Sequence, residues 1–310
     1  MKRPIFAKFT RYGILSVALL SFAPLVQAVV INVACPGQTV QSAIDLAQPG
    51  DTVSVTGTCN ENILVRNEKQ RIAIVGSGGA VINGLITSSP AINVRGKGIG
   101  IQGFTITGGS RGVHLNRNSN AFINGNTIQN TGGDGILVDE LAFASIYDNT
   151  ISNNPFGNGI MVSENAVTRI GFNLSEDVSP SPNTITFNGA NGIMVSRSSS
   201  ARIVGNTISN NLVDGIFVTR SAQADIASNV INANGGSAVK ISENGSVVLG
   251  ESNPTNFFQQ PNTTTVNNTG FGIQCDQGGA VRAVLGSSNA VNGNAGQLNL
   301  HASCPFTLAP

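Results

Sequence analysis

A five-residue phrase, x-Gly-Ile-x-Val, returns in varied form along most of the chain, and this limits the fold more than any other sequence feature. It reads Arg111-Gly112-Val113-His114-Leu115, Asp134-Gly135-Ile136-Leu137-Val138, Asn158-Gly159-Ile160-Met161-Val162, Asn191-Gly192-Ile193-Met194-Val195 and Asp214-Gly215-Ile216-Phe217-Val218. Weaker copies start at Pro90, Ser237 and Phe271. Steps between second positions are 21, 23, 24, 33, 23, 23 and 34 residues, so two intervals carry an insertion and the rest hold one period. The insertions fall at about Phe172 to Pro182 and Glu251 to Pro261, both rich in Ser, Asn and Pro as surface loops are.

Each period also holds a second apolar phrase, such as Phe122-Ile123 or Arg202-Ile203, and a third of the form Asn-Thr-Ile. Within each phrase the apolar side chains alternate with outward ones, a period of two that belongs to strands, and no 3.6-residue stripe persists. Three short strands per period, each with a parallel successor one turn later, make a β-solenoid. About nine coils, counted from Val53, stacked ~4.8 Å apart, give a rod of about 43 Å.

The third phrase is the most specific. Asn126, Asn149, Asn183, Asn206, Asn229 and Asn289 each stand two residues before the Ile or Val of that strand, and Thr264 is expected to break the series. Stacked amides can donate to the next carbonyl in the column, sparing buried polar groups a cost of about 1–3 kcal/mol each. The predicted feature is an asparagine ladder.

With these elements in view, the chain resembles the right-handed parallel β-helix proteins of the pectin-lyase-like superfamily, in particular their parallel β-helix repeat branch, from about Thr39 to Gly293. The resemblance implies the right hand of the coil. It also implies that Gly37 to Ala47 forms an amphipathic capping helix ahead of the first strand. Thr39 suits an N-cap, and Val40, Ala43, Ile44 and Ala47 would cover the open apolar end of the stack. A lid protects the terminal coil from edge pairing. The expected organisation is a leader at 1–28, then one all-β domain at 29–310, with a cap at 39–52, coils at 53–293 and a tail at 294–310.

Composition sets the compartment and excludes some partners. Met1 to Arg11 carries four cations, Gly13 to Val26 is apolar, and Val26-Gln27-Ala28 places small residues where signal peptidase needs them. Cleavage after Ala28 is expected, giving an exported protein, periplasmic or extracellular, without a later transmembrane segment. Beyond the leader stand 13 basic and 16 acidic residues, which offer no phosphate-neutralising stripe, so nucleic acid is an unsuitable partner. Four cysteines allow three pairings; local bridges Cys35 to Cys59 and Cys275 to Cys304 are favoured in an oxidising space.

In related enzymes the site runs along the outside of the strand written here as x-Gly-Ile-x-Val. Outward on that strand lie Leu137, Met161, Met194 and Phe217, an apolar stripe on an otherwise polar rod, suited to an extended polysaccharide or a surface protein. The early coils hold Arg111, His114, Arg117, Asp134, Asp139 and Glu140. A lyase or epimerase of uronic acids needs a cation for the substrate carboxylate, a base for the C5 proton and an acid for the leaving oxygen, and this cluster contains those residue types. Against catalysis, the superfamily's signatures are missing: no adjacent Asp-Asp with a later Gly-His-Gly, no Asp-Pro-His and no Asp-Phe-x-Phe-Gly. No resident cofactor is expected. Calcium would require Asp134, Asp139, Glu140 and Asp148 to converge.

Overall fold

The computed structural model describes residues 27–174, 179–250, 262, 263, 268–281 and 304. Its strands are all parallel and fall into three sheets, one per phrase, wound into about nine coils. Face A is built from the second phrase and runs from Val30–Ala34 to Ala280–Val281. Face B holds the Asn-Thr-Ile strands, from Thr58–Asn60 to Val230–Asn232. Face C holds the x-Gly-Ile-x-Val strands, from Ile63–Val65 to Ile273–Cys275. Strand Val30–Ala34 pairs with Thr52–Thr56, so the stack begins one strand earlier than the coils counted from Val53. Its Val33 points inward, buried with the core.

The stacking is in strict register on face C. Ile136 pairs with Ile160, Ile160 with Ile193 and Ile193 with Ile216, and none of the four has any exposed surface. Full burial of such a side chain contributes roughly 1.5–3 kcal/mol. These inward columns form one continuous core along the stack.

Polar columns are buried beside the apolar ones. Asn126 Nδ2 donates to Asn149 Oδ1 at 3.1 Å, and the chain of donors passes through Asn183, Asn206 and Asn229. The ladder does not stop at the coil of Thr264: Asn229 Nδ2 donates to Asn262 Oδ1 at 2.9 Å. Asn262 fills the slot because the series depends on the amide alone, and the Ile two residues later can be replaced by Thr. Asn289 lies outside the described residues. A second ladder, absent from the sequence reading, runs through Asn154, Asn188, Asn211, Asn234 and Asn268 with steps of 2.8 to 3.0 Å. Thr131 Oγ1 heads it, donating to Asn154 Oδ1.

The second ladder explains the glycine of the repeat phrase. A Cβ on Gly192 would lie 2.5 Å from Ile208 Cγ2, 2.7 Å from Gly215 O and 2.9 Å from Asn211 Nδ2, and Gly135, Gly159 and Gly215 are equally crowded. At these four positions a Cβ would force its neighbours apart where the corner between faces B and C closes, whereas two of the weaker copies carry Ala91 and Ala238 there. At the corner between faces C and A two consecutive residues take positive φ in coil after coil: Arg117 and Asn118, Glu140 and Leu141, Glu164 and Asn165, Arg197 and Ser198, Arg220 and Ser221, Glu243 and Asn244. The conformation strains non-glycine residues. Backbone bonds between neighbouring corners, such as Asn118 N to Glu140 O at 2.8 Å and Leu141 N to Glu164 O at 3.1 Å, repeat along the column and hold it.

Helix α1 (Val40–Leu46) lies where the sequence places it, with Thr39 at its N-cap and Val40, Ala43 and Ile44 buried. Gln41 bonds Leu64 in both directions, accepting from Leu64 N at 2.8 Å and donating to Leu64 O at 3.1 Å. The side-chain amide thus stands in for a neighbouring strand at the open edge of face C. Disulfides join Cys35 to Cys59 and Cys275 to Cys304.

Candidate functional site

Register fixes what face C presents outward. Asn93, His114, Leu137, Met161, Met194, Phe217, Lys240 and Gln274 are direct partners on consecutive strands. Leu137 is buried at 5% exposure, while Met161, Met194 and Phe217 are half-buried. The four make an apolar strip about 15 Å long, taking one strand spacing of ~4.8 Å per coil. Small polar residues flank it on one side: Ser163, Ser196, Thr219 and Ser242, all buried. At its far end the Lys240 ammonium stands 5.6 Å from the Phe217 ring centre and 3.8 Å from Asp276 Oδ2. The first insertion does not cover the strip where it is described. Phe172 instead packs with Val204 and Ala227, and Asn173 O accepts from Ser145 Oγ and Arg169 Nη1, all on the side of face A. The second insertion, 251–261, lies outside the described residues.

On the early coils the six polar candidates divide into three cross-coil pairs. His114 Nε2 lies 2.9 Å from Asp139 Oδ1, with both side chains mostly buried. The other ring nitrogen, Nδ1, is 3.5 Å from Asn116 Nδ2. Arg111 Nε is 3.6 Å from Asp134 Oδ2 on the side where the strands begin. Asp134 is also engaged in structure, since Asn158 donates to its Oδ1 from both N and Nδ2 at 2.9 Å. Arg117 and Glu140 meet at 4.0 Å on the solvent-facing corner, each about half exposed, where an ion pair contributes at most about 1 kcal/mol.

Three residues outside the six belong to the same surface. Asn93 Oδ1, Arg95 Nε and Asn116 Oδ1 are buried atoms without a hydrogen-bond partner among the described residues. Asn93 and Arg95 line a cleft of about 280 Å³ that also includes Leu64 and Pro90. Asn93 and Asn116 are legible as outward positions of the repeat. Arg95 falls one residue beyond a weak copy of the phrase, so only the phase of Val94 could have marked it.

The pattern Asp134, Asn158, Asn191, Asp214 and Ser237 forms a third polar column along the start of the face C strands. Asn191 Nδ2 donates to Asn158 Oδ1 at 2.9 Å, Asp214 N donates to Asn191 Oδ1 at 3.1 Å, and Ser237 N donates to Asp214 Oδ1 at 2.7 Å. Burial pushes the Asp214 carboxyl above its ordinary range, opposed by the Ser237 N–H and by Lys240. The carboxylates Asp134, Asp139, Glu140 and Asp148 do not converge on a common point. Among the described residues the trio of ligating types that does is Cys35, Cys59 and Glu61, whose sulfurs are committed to a disulfide.

The family model described as "Right handed beta helix region" matches residues 51–177 and 168–309. A "Cell surface glycoprotein" from Methanothermus fervidus is 32% identical over 94 residues, which is 29% of this chain and 15% of that protein. Among solved structures, the pectate lyase Pel9A superposes with a TM-score of 0.62 at 12% identity, covering 91% of this chain and 78% of that one. The enzymatically active domain of tailspike protein 2 from Bacteriophage CBA120 gives 0.55 at 14% identity, covering 86% and 43%. At these identities the two structures speak to the fold alone.

Proposed function

Because the chain belongs to the right-handed β-helix family, and so presents one long flat face per side of its coil, we propose that it is an exported rod that binds an extended polysaccharide along face C. The observation that carries this reading is the unbroken register from His114 through Leu137, Met161, Met194 and Phe217 to Lys240. An apolar strip with His114 at one end and Lys240 at the other suits a sugar chain, whose rings offer apolar faces and polar edges. Arg95 and Arg111, at the early end, add positive charge suited to acidic sugars. The likeness to a cell surface glycoprotein and the two disulfides support a location outside the cytoplasm. In the same reading helix α1 is the lid of the first coil, supported by the Gln41 to Leu64 bonds.

The test is calorimetric titration with alginate, pectate, a glycosaminoglycan and a neutral glucan, using the wild type and a Met161→Ser, Met194→Ser, Phe217→Ser variant. Binding that weakens at least tenfold in the variant supports the proposal. Equal binding by both, or none by the wild type, sinks it.

A second reading rests on the 2.9 Å contact of His114 with Asp139, which would orient an imidazole for lyase or epimerase chemistry on uronates. Lyase action would raise the ultraviolet absorbance of unsaturated uronate, and epimerisation would exchange the C5 proton with deuterated solvent. Either signal, lost in His114→Ala, would turn the function from binding to catalysis.

A further inference from the structure

We infer that removal of the leader builds an ion pair into the first coil, between the new α-ammonium of Val29 and the buried carboxylate of Asp51. In the intact chain the Val29 backbone N–H donates to Asp51 Oδ1 at 2.8 Å. The other carboxylate oxygen accepts from Gln48 N, also at 2.8 Å. Asp51 is only 5% exposed, and no basic side chain among the described residues forms an ion pair with it. Its two neutral N–H partners hold the carboxyl below its usual range. A carboxylate held by neutral donors is held more strongly still when one of them gains a full positive charge.

The leader pattern ends at Ala28, so the atom that touches Asp51 is the nitrogen that proteolysis would free. A signal peptidase adds water across the Ala28–Val29 bond. Ala28 departs with the leader as a carboxylate, and the Val29 nitrogen takes up protons to become an ammonium at neutral pH, its ordinary pKa being about 7.7–8.0. The site is already aligned to receive it. Thr52 N donates to Val29 O at 2.9 Å, and the strand Val30–Ala34 begins at the next residue. Before the cut the same nitrogen is a neutral amide. The unprocessed chain then lacks the charge that completes the first coil.

The experiment starts with the mass of the exported protein's N-terminal peptide, expected to begin at Val29. Chains starting at Val29, at Ala28 and at N-acetylated Val29 are then compared, each released from a cleavable fusion. The Val29 amine, followed by NMR after isotopic dimethylation, is expected to titrate about one unit above the same group in the unfolded chain. The thermal midpoint should be highest for the chain starting at Val29 and fall in the other two. In Asp51→Asn the Val29 amine should return to its ordinary titration. If that variant fails to fold, the three N-termini with Asp51 intact still decide the matter. A different exported N-terminus, or an amine that titrates ordinarily in the folded wild type, overturns the inference.

Discussion

The side-chain amide of Asn183 donates to Asn206 Oδ1 at 2.8 Å and to Ile146 O at 2.9 Å, so one group ties three successive coils together. Asn206 Oδ1 also accepts from Asn183 N at 3.1 Å. Replacing Asn206 by Leu therefore deprives two Asn183 donors and the Ile170 carbonyl, all in the preceding coil, of these partners. At about 1–3 kcal/mol for each buried orphan, the loss should reach about 3 kcal/mol or more. Asn126→Leu, at the head of the ladder, removes the acceptor of Phe104 N and should cost less. Urea unfolding of both variants checks the order.

Gly192→Ala should destabilise by about 1–3 kcal/mol, the range for forcing an extra carbon into a packed site. The clash is with Ile208, Asn211 and the backbone of Gly215, none of which can withdraw without disturbing a ladder or the core. Gly100→Ala is the control. Its Cβ would meet Ala73 at 3.6 Å, ordinary contact, and should leave the thermal midpoint unchanged or slightly raised.

Asp214 predicts a pH dependence of defined sign. Burial raises its carboxyl above the ordinary 3.8, so its contribution to stability is complete below that pH and is lost as pH rises through the folded value. Asn in its place removes the buried charge and supplies an amide that can donate to Asn191 Oδ1, as Asn191 does to Asn158. Asp214→Asn should be the more stable protein at pH 7, by a hydrogen bond's worth of about 1 kcal/mol or more, and the difference should shrink toward pH 4. Melting curves across that range test it.

Leu141 is 64% exposed and sits at φ 64°, a conformation that costs an L-residue roughly 1–2 kcal/mol. Leu141→Gly or Leu141→Asn should raise the midpoint of unfolding, since little packing is lost. A fall in either variant would mean that the Leu side chain holds the corner.

The three strands per coil, the inward column of Ile136, Ile160, Ile193 and Ile216, and the first ladder were legible because a solenoid repeats each physical requirement at a fixed interval. The second ladder was equally periodic, with Asn154, Asn188, Asn211 and Asn234 each five residues after a first-ladder Asn. It was hidden by the general preference of Asn for turns. Strand Val30–Ala34 escaped because it carries no Gly phrase, and it is recognised only by pairing with Thr52–Thr56. For the candidate site, the sequence placed His114 within diagonal reach of Asp139. It left Arg117 and Glu140 open between a part in lyase or epimerase chemistry and an exposed turn pair, and the positive-φ corner residues put them in solvent.

First-ladder spacing lengthens from 23 residues to 34 between Asn149 and Asn183 and to 33 between Asn229 and Asn262, yet the amides meet at the usual distance. The prism therefore tolerates foreign peptide at these two corners without shifting the turns above or below. Grafted segments of other lengths at the same corners could alter what the rod meets at its surface while its interior stays as it is.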